Sequence, residues 1–172
     1  MNIIKVIILF SILFSSSYIG ILLAKKYENR VKELKQIKSS LNMFSTKIQL
    51  TYEPIPNIFE ELSKKENINC KNVKNIFKNA YEKMTTIPAG QAWIEALDKT
   101  NTNLNKEDIE VLKGLSNLLG KVDMQGQINE IEVVENFINI QIEKAEEENK
   151  KNKKMYKTLG ITAGLAMVII FI

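Results

Sequence analysis

The sequence predicts an all-α protein, a helical bundle of about six helices set between an N-terminal and a C-terminal transmembrane helix. Three observations carry that expectation. Apolar residues make up 45% of the 172 residues, but they gather at the two ends and leave a middle rich in Lys, Asn and Glu. Within the middle, apolar residues recur at three- and four-residue steps, and no stretch alternates for long enough to make a strand of credible length. Only seven Gly and three Pro punctuate the chain, too few turn signals for a many-stranded fold.

Ile3 to Ala24 is apolar or small throughout, apart from Lys5. About 22 helical residues reach roughly 33 Å, enough for a hydrocarbon core about 30 Å thick. A cleaved signal peptide is the rival reading. Its apolar region usually runs only ~7–15 residues, and no clean small-x-small cleavage site precedes Lys25, so residues 1–26 are expected to remain as an anchor.

From Tyr27 to Leu50, the positions Leu34, Ile37, Leu41, Phe44 and Ile48 form one helical stripe that can continue directly from the anchor. In "YEPIPNIFEELSKK", Pro54 and Pro56 end this helix; Pro56 can open the next, with Ile58, Phe59 and Leu62 facing inwards. A third helix is expected to carry Val73, Ile76, Phe77, Ala80, Tyr81 and Met84. "TTIPAG" closes it, and a short fourth holds Ala92, Trp93, Ala96 and Leu97. Asn105, with Asp108 three residues on, starts a fifth that packs Ile109, Leu112, Leu115, Leu118 and Leu119.

The sixth helix is expected to begin near Asp123, with Ile128, Ile131, Val134 (or Val133), Ile138, Ile142 and Ala145 along one side. "EEENKKNKK" follows without a breaker, so the helix should run on towards the membrane, supported by four-apart pairs such as Glu146 with Lys150 and Glu147 with Lys151. The last apolar run, Leu159 to Ile172, is short for a span at roughly 21 Å. Counting from Met155 gives about 27 Å, with Tyr156 and Lys157 at headgroup level. Within residues 155–172, Gly160 and Gly164 make a small-xxx-small pair that permits close approach to another membrane helix.

Lys25, Lys26, Arg30 and Lys32 follow the first anchor, and Lys150, Lys151, Lys153, Lys154 and Lys157 precede the second. Both clusters flank the central region, residues 27–154, which the positive-inside rule places in the cytoplasm with both termini across the membrane. The net charge of +4 mostly reflects these flanks, so it points to a lipid bilayer and not to nucleic acid.

Catalytic chemistry is hard to find. The chain contains no histidine, which excludes Ser–His and Cys–His nucleophile pairs and histidine-based metal sites. Cys70 is the sole cysteine, read as a packing residue. "GLSNLLGK" lacks the spacing of a phosphate loop and has no Ser or Thr after Lys121. Glu146 to Glu148 read as a solvated face. No enzymatic activity and no cofactor are expected. The loop to single out is "LGKVDMQGQ": Gly120 suits the left-handed position after a helix, Asp123 can cap the next one, and Gln127 is its neighbour one turn on. The segment is either a capped turn alone or a turn that also presents Asp123 and Gln127 to a partner.

At this loop the chain resembles a family, the stage III sporulation protein AB family, related to the F-type platform protein of type II secretion. The resemblance covers nearly the whole length. Arg30 with Leu34, Leu41 and Ile48 match its first soluble segment, and Pro54 and Pro56 its proline-marked turn. Ala92-Trp93 with Ala96-Leu97 match its tryptophan motif. Gly120, Asp123 and Gln127 match its Leu-Gly-x-x-Asp-x-x-x-Gln signature, and "KMYKTLGITAG" its entry into the final anchor. The chain departs from the family at Ser45 and Lys47, where acidic residues are frequent, and at Val122, where a small polar residue is usual. An acidic partner patch on the first soluble helix is therefore not carried over.

The resemblance implies a non-enzymatic membrane platform in the mother-cell membrane around the forespore, part of a sporulation channel complex. Its implied partners are a cytoplasmic secretion-type ATPase and other membrane subunits of that channel. The alternative is a structural membrane protein that self-associates through Gly160 and Gly164 without a motor.

Overall fold

The computed structural model describes residues 3–51, 53–65, 68–119 and 124–171. Among the described residues there are six α-helices, one 3-10 turn and no strand, which bears out the all-helical expectation. The helices are α1 (Ile3–Thr51), α2 (Ile55–Lys64), α3 (Lys71–Lys83), α4 (Ala89–Lys99), α5 (Lys106–Lys113) and α6 (Met124–Phe171), with the 3-10 turn at Gly114–Asn117 between α5 and α6. They form two compact units, one of residues 1–31 with 144–172 and one of residues 32–143.

In the 32–143 unit, each boundary has a local cause. Pro54 precedes α2 with its carbonyl accepting from the amides of Asn57 (3.0 Å) and Ile58 (3.3 Å), while Pro56 fills an early helical position where its missing N–H costs nothing. Pro88 opens α4 in the same way. Asn105 and Asp108 form a reciprocal capping box at the start of α5: the Asp108 amide donates to Asn105 Oδ1 (2.8 Å) and the Asn105 amide to Asp108 Oδ2 (2.9 Å).

The fifth helix is shorter than its apolar pattern suggests. It stops at Lys113, and the tighter turn from Gly114 delivers Leu115 to the core, followed by Leu118 and Leu119. A 3-10 step changes the angular spacing of side chains, so residues that look like one α-helical stripe can be buried by two segments. Of the two valines at the start of α6, Val134 is buried and Val133 is exposed.

The core is built around aromatic rings. Phe59 of α2 meets Phe44 of α1, Phe77 of α3 and Trp93 of α4 at centroid distances of 5.5, 5.4 and 5.6 Å, each near edge-to-face. Trp93 is fully buried, and its Nε1 donates to the carbonyl of Leu112 (2.7 Å) in the last turn of α5. The indole thus fills the core and ties α4 to α5. Gly90 is required where α4 begins, because a Cβ there would collide with the carbonyl oxygen of Ser116.

Candidate functional site

The terminal unit is a helix pair with small residues inside and large ones outside. A Cβ placed on Gly20 would lie 2.6 Å from the Tyr156 carbonyl oxygen and 2.9 Å from the Gly160 Cα. One on Gly160 would lie 2.9 Å from the Ser16 carbonyl oxygen, and one on Gly164 would lie 2.9 Å from Leu13 Cδ1. At positions 20 and 160, where the facing atoms are backbone, only glycine allows the helices this close, whereas at 164 the Leu13 tip can yield; the closeness lets Ser16 Oγ donate to the Gly160 carbonyl at 2.7 Å. The two glycines singled out in the sequence lie against α1 of the same chain. Phe10, Phe14, Leu22, Ile161, Leu165 and Phe171 point outwards and are exposed. α1 and α6 are each long and apolar enough over an 18-residue window to cross a membrane.

At its polar end the same pair is tied by side chains. Tyr27 stacks on Tyr156 with centroids 5.7 Å apart, Lys153 Nζ donates to Glu28 at 2.7 Å, and Arg30 donates to Glu148 at 2.8 Å. Arg30 is almost fully buried, although Glu148 keeps about half of its side-chain surface in solvent (47%). The open side of that pair limits what it adds to stability, and its geometry chiefly fixes the register of the two helices.

The 32–143 unit holds a second buried charge. Glu33, on α1, accepts from Asn72 Nδ2 (2.7 Å), the Asn103 amide (2.8 Å) and Asn103 Nδ2 (2.7 Å). One carboxylate thus joins α1 to the start of α3 and to the α4–α5 loop. The burial of Arg30, Glu33 and Ser40 is invisible to a count of apolar residues, which takes Arg30 only as a flanking charge. The available signal was their spacing: with Leu34, Ile37 and Leu41 they sit three, four and seven apart, on the buried face.

Cys70 precedes α3 and is half-buried; burial first, and the nearby Glu33 carboxylate second, push its thiol above the usual range. A thiol so placed is a poor nucleophile at neutral pH. Lys47, at one departure from the family pattern, pairs with Glu53 (3.1 Å) and Glu61 (2.5 Å), and its ammonium pKa is raised by those two hydrogen bonds. Among the described residues no cluster of three or more His, Cys, Asp or Glu side chains is arranged for a metal ion. Gly120 and Asp123 lie outside the described residues; Gln127 falls in the first turn of α6, and its side chain lies outside the description.

Against known proteins, the family model for stage III sporulation protein AB matches residues 5–172. The chain belongs to the stage III sporulation protein AB family. Stage III sporulation protein AB of Bacillus subtilis (strain 168) is 26% identical over 161 residues, covering 92% of this chain and 94% of that protein. A solved structure titled stage III sporulation protein AB (SpoIIIAB) superposes with a TM-score of 0.62 at 20% identity, covering 70% of this chain and 96% of that one. At that identity the likeness speaks for the fold alone. As a member of the stage III sporulation protein AB family the chain is a sporulation protein, and the relatives' names specify no reaction.

Proposed function

We propose that the protein is a non-enzymatic membrane platform of a sporulation-specific channel complex between mother cell and forespore, recruiting or coupling a cytoplasmic secretion-type ATPase. In this reading residues 1–26 and 155–172 cross the mother-cell membrane around the forespore. The domain between them, residues 27–154, stands in the cytoplasm, and both termini face the opposite side.

The single observation that carries the reading is the contrast of surfaces in a chain of this family. The terminal pair turns large apolar side chains outwards over both helices, as a lipid-facing pair does, while the 32–143 unit buries or half-buries all but four of its large apolar residues among the described ones. Lys25, Lys26, Lys150, Lys151 and Lys154 collect at one end of the apolar segments and support the cytoplasmic side.

Tagged full-length protein solubilised in mild detergent from sporulating cells is expected to bring down a secretion-type ATPase with other membrane subunits. Recovery of the protein alone, where known membrane complexes survive, would sink the coupling reading. For orientation, an Asn69→Cys variant in a Cys70→Ser background puts a thiol at an exposed position. An impermeant thiol reagent should label it only after lysis; labelling of intact cells reverses the topology.

Self-association through Gly160 and Gly164 without a motor is the second reading. Both glycines are already covered by Leu13, Ser16 and Gly20, so a second copy would have to displace α1 to use them. That reading requires the Gly160→Leu, Gly164→Leu double variant to lose self-association in detergent while the wild type retains it.

A further inference from the structure

Among the described residues of the 32–143 unit, four large apolar side chains are exposed, and three of them lie on α6: Val133 (50%), Phe137 (52%) and Ile140 (48%). Steps of four and three set them on one helical face. They are not an overflow of the core, because Ile131, Val134 and Ile138 of the same helix are buried on a different face. Scattered single apolar residues are ordinary on a protein surface, whereas an aligned phenylalanine, isoleucine and valine mark a contact.

The charge beside these three residues is acidic: Glu135 turns towards Lys38 of α1, and Lys144, one turn beyond Ile140, closes the stripe. Ile128 to Glu143 contains Glu130, Glu132, Glu135 and Glu143 and no lysine or arginine, in a chain whose net charge is +4. We infer that this face of α6 docks a cationic amphipathic helix of a different protein. The incoming apolar residues pack on Val133, Phe137 and Ile140, and its lysines or arginines meet the flanking carboxylates. An anionic lipid surface is a poor occupant, since surface-lying helices carry basic rims against such lipids. A second copy is the weaker occupant, because a two-fold contact presents the same glutamates from both sides and offers only Lys144 to answer them. The inference goes beyond the platform reading and holds whether or not the partner is a motor subunit.

The test uses the full-length protein in sporulating cells, with benzoylphenylalanine in place of Phe137 or of Val133, and at Lys78 on α3 as an exposed reference position. After irradiation, the captured peptide is sequenced by mass spectrometry. Expected is a segment of another protein with net positive charge and apolar residues at three- and four-residue steps, at a yield roughly tenfold above the Lys78 position. The Glu130→Gln, Glu132→Gln, Glu143→Gln variant should lower that yield about threefold or more while leaving the helical circular dichroism and melting temperature unchanged. Capture of another copy of this chain, of lipid, or of an acidic or uncharged segment overturns the inference. So does a yield no higher than at Lys78 from both stripe positions, or one that the three glutamine substitutions leave unmoved.

Discussion

The central bundle meets its neighbours with Trp93, Phe44, Phe59 and Phe77 turned inwards; the terminal helix pair does so with Ser16, Gly20, Gly160 and Gly164. The difference follows from the surroundings each needs. In water, burying large apolar side chains drives helices together. In the lipid proposed for the terminal pair that drive is absent, because acyl chains are as apolar as leucine. Close backbone contact and a hydrogen bond such as Ser16 to Gly160 hold the helices instead. One chain therefore stabilises two regions by different physics, and substitutions should act on one without moving the other.

The largest expected effect lies in the bundle. Trp93→Ala removes the core's largest side chain together with its bond to the Leu112 carbonyl, and should cost about 3–5 kcal/mol. Denaturant titration of the full-length protein in nanodiscs reads this as a lower unfolding midpoint. A loss under 1 kcal/mol, about a factor of five in the folding equilibrium, would contradict the account of the aromatic core.

Next is Glu33. Glu33→Ala leaves the Asn72 and Asn103 donors facing an apolar side chain and should cost about 2–3 kcal/mol in the same assay. Glu33→Gln keeps one acceptor oxygen and should recover part of that loss. Equal destabilisation by the two variants would mean that negative charge matters more than acceptor geometry.

The smallest effect is confined to the helix pair. A cysteine pair replacing Ser16 and Gly164, in a Cys70→Ser background, should oxidise readily, since an added Cβ at position 164 sits 3.3 Å from the Ser16 Cβ. Adding Gly160→Leu should cut the cross-linked fraction roughly tenfold, a change of about 1.4 kcal/mol, and leave the unfolding midpoint of the bundle where it was. A shift of both readouts together would show that the two regions are not separable.

How much of this could be read from the residues follows the same division. Helices α2 and α4 were legible because Pro54, Pro56 and Pro88 mark their starts, and α3 because apolar spacing tracks burial when the outside is water. Gly160 and Gly164 stood out as a pair, but their partners Ser16 and Gly20 did not, since small residues in an all-apolar run leave no periodic trace. Arg30 and Glu33 were hidden by their chemistry: a count of apolar residues cannot register a buried charge, and their hydrogen-bond partners lie far along the chain. The early stop of α5 at Lys113 depends on which segment crosses α4 at Gly90, a tertiary fact with no local signature. Of the three candidate partner residues Gly120, Asp123 and Gln127, only the helical position of Gln127 is described.

The bond from Ser16 to the Gly160 carbonyl spans 144 positions in sequence. At bacterial translation speeds, about 5–20 residues per second, roughly 7 to 30 s pass between the ribosome adding one partner and adding the other. In the membrane-spanning reading proposed above, the first helix has no mate during that interval, and the notch at Gly20 lies open to any neighbouring helix. Biogenesis of this protein is thus a waiting problem: something must keep that notch vacant, or occupy it reversibly, until the last residues arrive.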